Sequence, residues 1–120
     1  MRAAILLSLC LAVSGPACAE TPPAEAKRIE HLIRSIEQLS NAKFIRNGAP
    51  YEAKAAADHL RLKWREAGDR VKTAQQFIEL CGSRSSVSGK PYEIRFADGT
   101  AVTSEAFLRA RLKELEARGK

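Results

Sequence analysis

The chain has 120 residues, of which 45% are hydrophobic, 28% charged and 6% aromatic, with 20 Lys and Arg against 14 Asp and Glu for a formal net charge of +6. That length suits a single domain, and the hydrophobic share is too high for a disordered chain. Three cysteines are too few for a disulfide framework, and five prolines and seven glycines leave no room for a long low-complexity tract.

The first segment reads as an address. Arg2 precedes an apolar run from Ala3 to Val13, interrupted mildly by Ser8 and Cys10. It is much shorter than the roughly 20 residues needed to span a bilayer. Gly15 and Pro16 then precede Ala17-Cys18-Ala19, a small-x-small site, so residues 1–19 read as a signal peptide cleaved after Ala19. A lipidated Cys18 is the competing reading, and Gly15, followed by Pro16, stands where lipoprotein signals carry an aliphatic residue, three before the cysteine. Removing 19 of 120 residues leaves 101, and losing Arg2 with no acid lowers the charge from +6 to +5. Cys10 and Cys18 go too, leaving Cys81 alone in an oxidising compartment, with no intramolecular disulfide open to it. The expected location is the periplasm, with no transmembrane segment after cleavage.

Residues 20–120 then read as one small α-rich domain. Glu20 to Pro23 is a polar, loose lead-in. From Ala24, the positions Ile29, Leu32, Ile33, Ile36 and Leu39 share one face of a first helix, stopped by Ser40-Asn41. Phe44 and Ile45 anchor the connection, and Arg46-Asn47-Gly48 forms a turn, because asparagine and glycine tolerate positive φ. Pro50 suits the first position of a second helix, with Glu52 near its positive end. Ala53, Ala56, Ala57, Leu60, Trp64 and Ala67 lie on one face of that helix, which Gly68-Asp69 ends.

A third helix, started by Thr73 or from Asp69, carries Val71, Ala74, Phe77, Ile78 and Cys81 on one face and closes at Gly82. Ser83 to Lys90 is a polar loop. Tyr92, Ile94 and Phe96 alternate with Glu93 and Arg95 as a strand, and Asp98-Gly99 signals a hairpin. A three-residue loop, Ala97-Asp98-Gly99, sets Ile94 opposite Val102 with both buried, whereas a two-residue loop turns Val102 away. A lone hairpin is marginal in water, so it must pack on the helices. Thr103 or Ser104 caps a last helix with Phe107, Leu108, Leu112 and Leu115 facing inward. The expected fold is α+β, mostly α: about four helices with one small β-hairpin in a single domain.

Four segments look familiar in order and spacing: Phe44-Ile45-Arg46-Asn47-Gly48, His59-Leu60-Arg61-Leu62-Lys63, Thr73-Ala74 with Phe77-Ile78, and Ser85-Ser86-Val87-Ser88-Gly89-Lys90-Pro91-Tyr92. Together they resemble the YfeK-like family of small exported bacterial proteins, a domain of unknown function, over roughly Phe44 to Tyr92. The resemblance implies export and brings no activity, cofactor or catalytic residue. An aliphatic residue is usual in that family where this chain has Cys81, which argues against shared cysteine chemistry.

The residues themselves offer few chemical constellations. Cys81 lies on an apolar face, where a free cysteine behaves as a small hydrophobe. His59 has Ala55, Ala56, Leu62 and Lys63 among its helical neighbours, and His31 sits on another helix. Neither makes a metal-ligand spacing, so no metal or cofactor is expected. Gly89-Lys90 is not a phosphate loop: Arg84 and Pro91 stand where that motif needs glycine and serine or threonine, and the strand and helix come in the reverse order. What remains between Ser83 and Lys90 is four hydroxyls and two cations, a set able to hold phosphate or carboxylate. Arg61, Lys63, Arg65, Arg70 and Lys72 cluster in sequence around the end of the second helix, with Arg61 and Arg65 on one face and Lys63 elsewhere, and the net charge of +5 suits acidic partners. No aromatic residues interleave with them, so nucleic acid is not an expected partner.

These features favour a non-catalytic binding or interaction module for an acidic or cell-envelope partner over an enzyme. The candidate surface is Arg46, Asn47, Gly48, His59, Ser85, Ser86, Ser88, Lys90 and Tyr92, with no catalytic or metal residues assigned. One alternative is a small hydrolase pairing His59 with a loop serine. Another is a structural protein that assembles with itself through the alanine face.

Overall fold

The computed structural model describes residues 21–119; the signal-peptide reading, with Cys10 and Cys18, lies outside them. Four principal elements follow the helical periodicity of the sequence: α1 (Pro23–Glu37), α2 (Ala53–Ala67), the short α3 (Ala74–Phe77) and α4 (Ser104–Arg118). The strands are β1 (Lys43–Arg46), β2 (Ala49–Tyr51), β3 (Glu93–Arg95) and β4 (Ala101–Thr103). They form an antiparallel sheet in the order β2-β1-β3-β4. The fold is α+β and mostly α, with four helices and a larger sheet than the single hairpin expected.

The additional hairpin is the main correction to the sequence reading. Asn47 at φ 51° and Gly48 at φ 79° connect β1 to β2 as a two-residue turn, both central residues being left-handed as a tight hairpin demands. Pro50 therefore sits in β2 opposite Ile45 and does not open the second helix, which starts at Ala53. Proline is tolerated there because β2 is an edge strand, where a missing N–H costs no ladder bond.

Register explains what the sheet buries. Tyr51, Phe44, Ile94 and Val102 stand opposite one another across all four strands. The two central members are buried, Ile94 completely, while Val102 on the β4 edge is 39% exposed. The three-residue loop and the Ile94–Val102 pairing agree with expectation: Phe96 N–H donates to the Thr100 carbonyl at 2.8 Å and Gly99 has φ 90°. The expected burial of Val102 does not, because an edge strand lies beyond the centre of the row.

The core joins Ile29, Leu32, Ile33 and Ile36 of α1, Ala57, Leu60 and Ala67 of α2, Phe77 of α3 with Ile78 and Cys81 just after it, and Leu108 and Leu112 of α4. Phe107 and Leu115 are only partly buried. Ala57 and Ala67 are buried within the chain, so this part of the alanine face is covered by the protein's own core and not free for a second copy. Thr73 caps α3 by accepting from Gln76 N–H at 3.1 Å, and Thr103 caps α4 by accepting from Ala106 N–H at 3.1 Å. A π turn over Ile78–Gly82 continues α3. A Cβ at Gly82 would stand 2.6 Å from Leu108 Cδ1, so a side chain here would have to displace the end of Leu108, which packs on this turn from α4. The lead-in is not loose at Thr21: its hydroxyl donates to the Val71 carbonyl at 2.7 Å and accepts from Trp64 Nε1–H at 3.1 Å.

Candidate functional site

Strand alternation puts Arg46 on the same face as Phe44, at the end of β1 and toward α2. Helical spacing puts His59 and Lys63 on one stripe of α2. Tyr92, just before β3, shares the face of Ile94. The fold brings these side chains together. Arg46 Nη1 lies 2.8 Å from His59 Nδ1 and 3.1 Å from Nε2, and Nη2 donates to the Tyr51 hydroxyl at 3.1 Å. His59 Nε2 is 3.1 Å from the Tyr92 hydroxyl, and Lys63 Nζ donates to that hydroxyl at 3.0 Å and to the Arg84 carbonyl at 2.9 Å.

With Arg46 donating to Nδ1, the neutral imidazole keeps its proton on Nε2 and donates it to Tyr92, a tautomer assigned from the hydrogen-bond network. The Tyr92 oxygen then accepts from both His59 and Lys63, which leaves its own proton free to donate elsewhere. Tyrosine rings also line the two cations: the Arg46 guanidinium carbon is 4.7 Å from the Tyr51 ring centre, and Lys63 Nζ is 5.0 Å from that of Tyr92. Among the described residues neither Arg46 nor Lys63 has a carboxylate ion-pair partner.

Beside this cluster is a cavity of about 150 Å³. Ile36, Phe44, Ala55, Ala56 and Leu60 give it apolar walls, and Arg46, Tyr51, His59, Tyr92 and Ser104 supply its polar groups. Among the described residues none of its lining side chains is acidic. An apolar cavity with a few convergent polar groups is the usual form of a small-molecule site.

Three of the nine residues singled out from sequence, Arg46, His59 and Tyr92, line this cavity. Asn47, Ser85 and Ser88 form a separate junction, in which Asn47 Nδ2 donates to Ser85 Oγ at 3.2 Å and Ser88 Oγ donates to Asn47 Oδ1. That junction ties the hairpin turn to the serine loop, and Ser85 Oγ also accepts from Val87 and Ser88 N–H. Gly48 is exposed at the turn, and Ser86 and Lys90 are exposed in the loop. His59 makes its bonds to Arg46 and Tyr92, and none to a loop serine, among the described residues.

Sequence reasoning missed Tyr51, Ser104 and the role of Lys63. It counted Lys63 in a basic cluster, off the face that Arg61 and Arg65 share, and gave it no place in the site, yet Lys63 is only 8% exposed. The available signal was its i,i+4 spacing from His59, a cation next to a second basic side chain on one stripe. Arg61, from the same basic run, instead pairs with Glu37 at 3.0 Å and with Glu30 and Asp58 at 3.7 Å, joining α1 to α2. Among the described residues no three His, Cys, Asp or Glu side chains gather as a metal site, and no helix is long and apolar enough to cross a membrane.

Residues 23–116 match the model of a family of unknown function, DUF5329. The chain belongs to this family. It is also 35% identical over 92 residues, 77% of each chain, to the uncharacterized protein YfeK of Salmonella typhimurium. No solved structure matches. The family match reaches well beyond the Phe44 to Tyr92 stretch that first suggested it, and it contains every cavity-lining residue and Lys63.

Burial first, then Arg46 and Lys63, lower the His59 pKa from 6.5, and Glu66 opposes them weakly. The unfolded chain therefore takes up a proton at a higher pH than the folded protein does. Stability from this group is complete above about pH 6.5 and is lost as pH falls through the lower folded value. The urea midpoint is expected to be lower at about pH 5 than at about pH 7.5, and His59→Gln should narrow that difference.

Cys81 is fully buried, and burial pushes its thiol up to about 11 against smaller opposing effects of Lys63 and Arg70. Only the thiolate is nucleophilic. The native protein should resist a disulfide thiol reagent at about pH 8 and react once unfolded in guanidinium. Rapid native labelling would count against a core role.

Proposed function

We propose that this protein is a non-catalytic binding module of the bacterial periplasm that takes an anionic group in the cavity between α2 and the sheet. The observation that carries this reading is the cation cluster: Arg46 at the cavity and Lys63 behind Tyr92, both held by neutral partners and, among the described residues, neither by a carboxylate. Unpaired cations at low exposure are costly to maintain, and a bound carboxylate or phosphate relieves that cost with charge-assisted hydrogen bonds. A net positive chain also draws anions toward it. An anionic component of the cell envelope is the partner this chemistry fits.

The test is a titration of isotopically labelled protein with acetate and with inorganic phosphate at neutral pH. Amide and side-chain shifts are expected to concentrate at Arg46, His59 and Tyr92 and to vanish in Arg46→Gln. Shifts confined to exposed lysines, or none at all, would overturn the reading. Export is tested by sequencing the N-terminus of the mature protein, which should begin at Glu20; retention of residues 1–19 on the exported protein would sink it.

A further inference from the structure

Resting on the anion-binding reading, the geometry points to a narrower ligand class: a small amphipathic monoanion, a carboxylate on one ring or on a chain of about six carbons. We propose this from the division of the cavity into two unlike parts. Arg46, His59, Tyr51 and Tyr92 are linked by hydrogen-bond distances of 2.8 to 3.1 Å, so four of the five polar lining residues occupy one locus, Ser104 being the fifth. The remaining walls, Ile36, Phe44, Ala55, Ala56 and Leu60, come from three different elements and offer no charge.

Each half excludes a different competitor. A bare hydrated anion such as phosphate satisfies Arg46 but leaves the apolar walls uncovered. A neutral apolar molecule covers the walls but shuts the guanidinium away from water with no counter-charge, which is unfavourable. A carboxylate with an apolar body does both. Its head has donors available: the guanidinium has more N–H groups than its contacts to His59 and Tyr51 use, and the Tyr92 hydroxyl has a proton to give. Size sets the body. An apolar cavity of about 150 Å³ is large enough to take a benzene ring, and this one has that volume.

Calorimetric titration at neutral pH with hexanoate, benzoate, acetate, inorganic phosphate and hexanol tests the proposal. Hexanoate and benzoate are expected to bind at least tenfold more tightly than acetate, phosphate or hexanol. Arg46→Gln should reduce hexanoate to the level of hexanol. Ala56→Leu, which fills the apolar part, should weaken hexanoate at least tenfold and acetate by a smaller factor, and circular dichroism checks that both variants are folded. If acetate and phosphate bind as tightly as hexanoate, the amphipathic class is overturned and the general anion reading stands. If hexanol matches hexanoate, or nothing binds, both fall.

Discussion

Replacing Phe77 with alanine is expected to cost about 3–5 kcal/mol of stability, the range for truncating a buried phenylalanine. Phe77 is fully buried at the end of the four-residue α3. A helix of one turn has little stability of its own, so what holds this segment is the insertion of its apolar side chains between α1, α2 and α4. The Phe77 ring meets the Trp64 indole edge-on, with centroids 6.1 Å apart at 73°. The indole in turn donates to Thr21, whose hydroxyl donates to the Val71 carbonyl. Removing the ring therefore opens a cavity and frees the partner that fixes the lead-in and the start of α3. Against a domain total of about 5–15 kcal/mol, the loss should appear as a melting temperature lower by more than about 12 °C. Val87→Ala, at a residue 94% exposed, should move it by less than about 2 °C. A Phe77→Ala loss below about 1.5 kcal/mol would mean that the surrounding helices close over the gap.

The same contrast between burial and local signal explains what was legible in the sequence. α1 was readable because Ile29, Leu32, Ile33 and Ile36 are spaced for one face and all four are fully buried. The β3–β4 register was readable because the two candidate loop lengths predict opposite faces for Val102, and alternation favours one of them. β1 and β2 were not. Four and three residues are too few for a period of two to show, and Pro50 carries a helix-start signal equal to its edge-strand one. Asn47-Gly48 was recognised as a turn, but a turn becomes a hairpin only if the strands beside it find neighbours. Phe44 finds Ile94, fifty residues away, and no local pattern encodes that pairing.

The candidate site was legible in part for a related reason. Arg46, His59 and Tyr92 stood out as polar or aromatic residues near turns or on a helix face, but their convergence depends on the missed hairpin. Without β1 in the sheet, Arg46 has no defined face, and Tyr51, its hydrogen-bond partner from β2, has no reason to be near it. The serine loop drew attention by composition. The Ser85 and Ser88 hydroxyls are spent on Asn47 and on the loop's own backbone, which makes it a brace for the hairpin turn more than a lining for the cavity.

Lys63→Met is expected to separate folding from binding. The ammonium is buried, and its hydrogen-bond partners among the described residues are a carbonyl and a phenol. Methionine keeps much of the stem's packing and removes the cost of a desolvated charge. It also leaves the Arg84 carbonyl short of a donor, a penalty of about 1–3 kcal/mol. These effects oppose each other, so stability should change by no more than about 1 kcal/mol. Binding has no such offset. Without Lys63 the Tyr92 oxygen accepts from His59 alone, the positive charge behind it is gone, and the hydroxyl is less well aimed at an incoming carboxylate. Affinity for hexanoate should fall about tenfold, equivalent to about 1.4 kcal/mol. Lys63→Ala should lose the same affinity and, in addition, stability from the missing stem. The comparison of urea midpoints with calorimetric affinities across both variants decides the matter. If Lys63→Met unfolds easily yet binds as the parent does, the buried lysine serves the fold; if it folds well and binds poorly, the protein keeps an expensive charge in its interior for the ligand.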